Sequence, residues 1–272
     1  MPDTETQPAG NLPVLVTPVP AALPAAALAE LHAAARVLEH SSLAIRLAGI
    51  IGSSLESLKH ALPHRVEQAL DSTVRRALEA AMRAALKLDP GHNPTPLPAR
   101  WLHRGLMAAS GMAGGALGLP GTLVELPVST TLLLRQIAAI AAEQGEDLAE
   151  PATQAECLKV FALGGDSPAD DEAEAGYFAV RLALAETLKG AVGKNLLGML
   201  PGFLGAVAAR FGAPVAVKLS AQAVPLVGAA AGAAVNLAFL EHFRGIAQAH
   251  FTVRRLERQH GAALVRANWP KE

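Results

Sequence analysis

Residues 111–121 read GMAGGALGLPG, five glycines and one proline in eleven positions. Such a stretch can cradle a phosphate, turn a membrane hairpin, or mark a seam where two helices meet backbone to backbone. A phosphate cradle needs glycines at fixed offsets, so that amides converge on an anion at a helix N-terminus, and then a Lys and a Ser or Thr. No G-K-[ST] follows here or elsewhere, and Gly193-Lys194-Asn195 lacks the upstream glycine. The dinucleotide pattern G-x-G-x-x-G is missing from the stretch, and no strand precedes it. What it does carry is small-xxx-small spacing, Gly111 with Gly115 and Gly114 with Gly118, matched far away by Gly228 with Gly232. Glycine in a helix costs about 1 kcal/mol against alanine. Close packing of bare backbone against a neighbouring helix offsets that loss, so these six glycines are expected at helix–helix seams.

The seams sit in unusual surroundings. Gly105–Val124 contains no charged residue, and neither does Leu219–Leu240. Both runs reach the about 20 residues that a membrane span needs. Pro120 and Pro225 interrupt them, Glu125 follows the first directly with Pro127 just beyond it, and alanine and glycine insert weakly. The expectation is two central helical hairpins that pack together or lie in an interface.

Outside the hairpins the chain reads as all-α, because helix formers dominate and sustained period-2 alternation is absent. Leu28, Leu31 and Leu38 mark one stripe, and Leu43, Leu47, Ile51, Leu55 and Leu58 the next. After Pro63, Val66, Leu70, Val74, Leu78 and Met82 recur every four positions, with Asp71/Arg75 and Glu79/Arg83 pairs on the wet face. Four prolines in DPGHNPTPLP, residues 89–98, make a loop. Pro151 suits a helix N1 position, and that helix ends at Gly164-Gly165. The acidic DSPADDEAEAG is a solvated loop, YFAVRLALAETL is helical, and GKNLLGMLPGFLGAVAARFGAP reads as helix broken by Gly and Pro. Residues 1–22, with prolines at 2, 8, 13, 18 and 20, are expected to be a disordered tail, and 23–272 one helical domain, a compact bundle.

Composition narrows the function. The chain is 51% hydrophobic and 17% charged, with mean hydropathy +0.30 and net charge −1, so no overall field draws it to nucleic acid. The single cysteine, Cys157, excludes an internal disulfide framework and fits a reducing compartment. No secretory signal is evident at the N-terminus. His60 and His64 have zinc-like spacing, but they lack the H-E-x-x-H glutamate and Pro63 lies between them. His242 and His250 share a face two turns apart, too far for one ion, and a surface or helix-end role is expected. No metal and no cofactor is therefore expected. There is no G-x-S-x-G elbow, and the hydroxyls of Ser129-Thr130-Thr131 can bond back to helix carbonyls.

Glu125, Arg135 and Asn236 are polar residues in apolar settings, and with His250 they are the candidates for a ligand or partner contact. If buried they need partners, either to fix helix register or to line a pocket. Arg254, Arg255 and Arg258, in a terminal helix with five arginines and one acid between 244 and 266, are candidates for an anionic surface.

The blocks GLPGTLVELPVSTTLLLRQIAAIAAEQGED, ECLKVFALGG, AEAGYFAVR and QAVPLVGAAAGAAVNLAFLEHFRGIAQAHFTVRRLERQHG together resemble the EcsC family of bacterial proteins. The resemblance runs from about Ile45 to Gly261. Where that family has Gly-x-Pro-x-Glu, this chain has Gly52-Ser53-Ser54-Leu55-Glu56. The resemblance implies a membrane-associated protein, named after a gene beside an ABC-transporter operon, with no established reaction or catalytic residues. Three readings follow. The first is a cytoplasmic protein peripheral to the inner membrane that binds lipid or an integral partner such as an ABC transporter. The second is a hydrolase-like enzyme on an apolar or lipid substrate, with Glu125, Arg135 and Asn236 lining a pocket. The third is a scaffold with an exposed apolar groove.

Overall fold

The computed structural model describes residues 22–40, 43–51, 72–81, 99–116, 118–165, 176–187, 200–223 and 229–270. Among them every regular element is an α-helix: α1 (Ala25–His40), α2 (Leu43–Ile51), a helical segment 72–81, α3 (Ala99–Ala116), α4 (Gly118–Glu143), α5 (Pro151–Leu163), α6 (Tyr177–Glu186), α7 (Leu200–Ala223), α8 (Ala229–His260) and α9 (Ala262–Ala267). The tail 1–21, the His60/His64 pair, the proline loop 89–98, the acidic loop 166–174 and Gly228 lie outside the described residues.

α3 and α8 run antiparallel, with the deepest contact at the glycine seam. Gly111 is buried against α8, where a Cβ would run into the Gly232 carbonyl oxygen and stand 2.8 Å from the Asn236 Cβ. Lower on the same pair, the Met107 carbonyl meets Asn236, and Arg104 meets Glu241. Gly114 is also buried; the surroundings of Gly115 and Gly118 lie outside the described residues.

α4 doubles back along α3, and α7 lies beside α4 and α8. The core between them is aromatic: Phe161 (α5), Phe211 (α7), Phe239 and Phe243 (α8) are fully buried, with ring centroids 4.7 to 6.0 Å apart. Each such ring contributes about 1.5–3 kcal/mol of burial. A smaller cluster joins Leu31 of α1 and Tyr177 of α6 to Val253, Leu256 and Val265. Tyr177 stacks on Trp269 at 5.2 Å, tying α9 back to the bundle.

Punctuation behaves in two ways. Pro151 opens α5 as expected, and the helix stops before Gly164-Gly165. These glycines also serve packing, since a Cβ on Gly164 would strike the Phe243 ring and one on Gly165 the Arg210 carbonyl. Pro127 and Pro214, by contrast, do not interrupt their helices: α4 and α7 are continuous through them. After Pro127 the hydroxyls of Ser129, Thr130 and Thr131 donate back to the Leu126 and Pro127 carbonyls at 2.8 to 3.1 Å.

Candidate functional site

Two buried polar clusters stand out. The first lies between α3, α4, α7 and α8. Glu125 (α4) and Lys218 (α7) form an ion pair of 2.9 Å at 7% and 0% exposure. The amide of Asn236 donates to Glu125 Oε1 at 2.9 Å and to the Met107 carbonyl at 3.1 Å. Ser110 donates to Glu125 Oε1 at 2.8 Å, and Lys218 also donates to Ser129 Oγ at 3.1 Å. Burial pushes the Glu125 carboxyl up, but Lys218, Asn236 and Ser110 outweigh it and hold the group below its ordinary value. Glu125 is thus favoured as a carboxylate, while burial pulls the Lys218 ammonium down and its contact with Glu125 opposes that shift. The Ser129–Lys218 contact is not arranged as a nucleophile–base dyad, because the Ser129 hydroxyl donates to the Leu126 carbonyl and accepts from Lys218. Asn236 Oδ1 is buried without a hydrogen-bond partner.

Arg135 does not join this cluster. It stands exposed between the buried Leu134 and Gln136, on the outer stripe of α4 that also carries the exposed Val128. Ten residues turn it about 80° from Glu125, enough to bring it to solvent. A pocket lined by all three sequence candidates is not what the fold assembles; Glu125 and Asn236 meet, and their charged partner is Lys218.

The second cluster centres on His250. Its Nε2 lies 3.1 Å from Glu156 Oε2 (α5) and its Nδ1 2.9 Å from the Tyr177 hydroxyl (α6). An ionised carboxylate only accepts, so Nε2 carries the proton, and Tyr177 donates to Nδ1. Burial lowers the His250 pKa, and Glu156 opposes that shift without overcoming it. Glu156 also takes Lys159 Nζ at 2.8 Å and Arg254 at 3.4 Å, which with His250 hold its carboxyl far below the usual range despite burial. Neither histidine is at the surface: His250 is fully buried and His242 Nε2 meets the Gly164 carbonyl at 2.8 Å. They sit on the inner face of α8, which the aromatic core covers.

The terminal arginines are paired with acids along the outer side of this network. Arg254 grips Glu146 through two contacts of 2.9 Å, Arg258 meets Glu146 and the Gln144 carbonyl, and Arg255 meets Glu30 and Gln144. The acids that neutralise them lie on α1, α5 and the α4–α5 turn, out of reach of any reading of the terminal helix alone. They are not a free cationic face. Cys157, beside Glu156, is buried, and that burial with Glu146 and Glu156 pushes its thiol up to about 12, which leaves it inert. Among the described residues no group of three or more His, Cys, Asp or Glu could hold a metal ion.

A third feature is on the outside. On α3, Gly105, Leu106, Ala109, Met112, Ala113 and Ala116 are exposed at helical spacing, a three-turn stripe with no polar residue. Leu106 and Met112 are 42% and 48% exposed. Arg104, paired with Glu241, closes its lower edge.

Residues 100–256 match the EcsC protein family, a span that contains both clusters and the stripe. The chain belongs to the EcsC family. No match was found among curated proteins or among solved structures.

Sequence reasoning missed Lys218, Glu156, Tyr177 and Glu146. A signal for Lys218 was present. Glu125 directly follows one charge-free run and Lys218 directly precedes the other, so two charges of opposite sign border the two apolar hairpins.

Proposed function

We propose that this EcsC-family chain is a membrane-associated helical protein, held at the cytoplasmic side of the inner membrane through contact with lipid or an integral partner. One observation carries the reading: the outer stripe of α3, six apolar positions in helical register, open to solvent. Isolated surface hydrophobes need no explanation, but a contiguous apolar face, bounded here at its lower edge by the Arg104–Glu241 pair, marks an interaction surface. The hydrolase-like alternative has less support, since Glu125, Lys218, Asn236, Glu156 and His250 are each at most 9% exposed and Arg135 is remote in direction from Glu125.

Fractionation of cells expressing the full chain tests it. The wild-type protein is expected in the membrane pellet, and Leu106→Glu/Met112→Glu in the supernatant with an unchanged melting temperature. A wild-type protein found wholly in the supernatant would overturn the reading.

A further inference from the structure

The antiparallel pairing of α3 with α8 brings together ends that the sequence keeps far apart. Gly111 faces Gly232, Asn236 reaches Met107, and Arg104 meets Glu241. Lys218 joins Glu125, and Phe211 packs on Phe239 and Phe243, so α7 also runs against α8. The C-terminal ends of α3 and α7 and the N-terminal ends of α4 and α8 therefore share one end of the bundle. That end is where both charge-free runs fold: 105–116 of α3, 118–124 of α4, 219–223 of α7 and 229–240 of α8.

The depth of this cap can be read from helix rise. Arg104 is twelve positions below Ala116, and Glu241 twelve beyond Ala229, about 18 Å on each helix. Arg210 on α7 lies about 20 Å from Ala223, and Arg135 on α4 about 25 Å from Gly118, at the same rise. One leaflet contributes about 15 Å of hydrocarbon, half of the about 30 Å core. The charges inside the cap, Glu125 and Lys218, face inward and neutralise each other, as an ionisable group at membrane depth must. Among the described residues no helix is long and apolar enough to cross a bilayer. The α3 stripe also lacks the Trp, Tyr or Arg that anchor protein interfaces.

We propose that this end of the bundle enters a single leaflet to the depth of its acyl chains, with the Arg104–Glu241 pair at the headgroup level. The inference rests on the membrane-associated reading and names its partner, lipid. Because the contact is apolar and the terminal arginines are internally paired, binding is expected on zwitterionic as well as anionic vesicles, and to persist at high salt.

Depth-dependent quenching tests it. An environment-sensitive fluorophore is placed on the full chain through Met112→Cys, Leu106→Cys or Arg135→Cys, all exposed positions, while the buried Cys157 of the wild-type protein serves as the unlabelled control. Protein-free phosphatidylcholine vesicles carry nitroxide lipids labelled near the headgroup or near mid-chain. The label at 112 is expected to lose emission mainly to the mid-chain nitroxide, that at 106 mainly to the shallow one, and that at 135 to neither. Wild-type protein that pellets with cell membranes yet fails to bind these vesicles, or binds without quenching at 112, overturns the leaflet proposal and leaves a protein partner as the membrane contact. Quenching at 112 by a water-soluble quencher trapped inside the vesicles overturns the single-leaflet depth. Absence from cell membranes instead removes the underlying reading.

Discussion

The two buried polar clusters solve one problem in opposite ways. Around Glu125 and Lys218, one acid meets one base, with an amide and two hydroxyls for company, inside an end of the bundle otherwise free of charge. Around His250, the chain Tyr177–His250–Glu156 runs on through Arg254 to Glu146 and Arg258, and so out to solvent. An isolated buried pair has no substitute when one partner goes. A network that reaches the surface can trade partners and admit water, so each of its links matters less.

The sharpest way to break that contrast is Lys218→Met. It leaves the Glu125 carboxylate buried without a counter-charge, and the expected loss in denaturant unfolding is about 3–5 kcal/mol. The double variant Glu125→Leu/Lys218→Met is expected to recover most of it; equal losses for the single and double variants would show that the lysine matters by packing alone.

Next in size is the seam beside this pair. Gly111→Ala presses a methyl against the Gly232 carbonyl, and a loss of about 1–3 kcal/mol is expected. Gly105→Ala, six residues away with nothing within 4 Å, is expected to be stabilising by up to about 1 kcal/mol. Thermal melts of the two variants should move in opposite directions.

The His250 network is tested by acid. A histidine whose folded pKa lies below its ordinary 6.5 is less protonated in the folded than in the unfolded state, so stability is lost as pH falls below 6.5. Glu125, Glu146 and Glu156, held below 4.5, add a second loss as pH drops through the carboxylate range toward their folded values. His250→Gln should flatten the upper part of the curve and shrink the lower part only by the share of the Glu156 shift that His250 supplies, as read by urea unfolding across pH. His242, also lowered by burial, retains the remaining slope.

The smallest effect belongs to the outer rim of that network. Arg258, 41% exposed, shares Glu146 with Arg254, so Arg258→Ala is expected to change stability by less than about 1 kcal/mol. Vesicle binding by this variant should equal wild type, whereas a marked loss would return the terminal arginines to an anionic surface.

Much of the fold was legible because it rests on local chemistry. Pro151 starts a helix wherever its missing amide is harmless, and the Gly111 spacing announces close backbone contact on any helix that carries it. Other features misled for an equally physical reason. Pro127 and Pro214 look like breaks, yet each helix runs on through its proline, which removes one backbone hydrogen bond and leaves the rest of the ladder in place. Arg135 and Glu125 share a sequence setting, but a turn of about 80° separates a buried acid from a solvated base. The arginines at 254, 255 and 258 read as a free basic face because their acids lie on α1, α5 and the α4–α5 turn.

Helical character, two long runs without charge, and bare backbone that something must cover are all written in the order of the residues. Helix period, glycine spacing and charge are properties of short segments, and they are fixed before any two segments meet. The packing of the helices settles that the two runs close into one end of the bundle, that Lys218 answers Glu125 across 93 positions, and that Arg254, Arg255 and Arg258 find acids. Those outcomes depend on which helix faces come together, and that choice is made by the packing of the whole core.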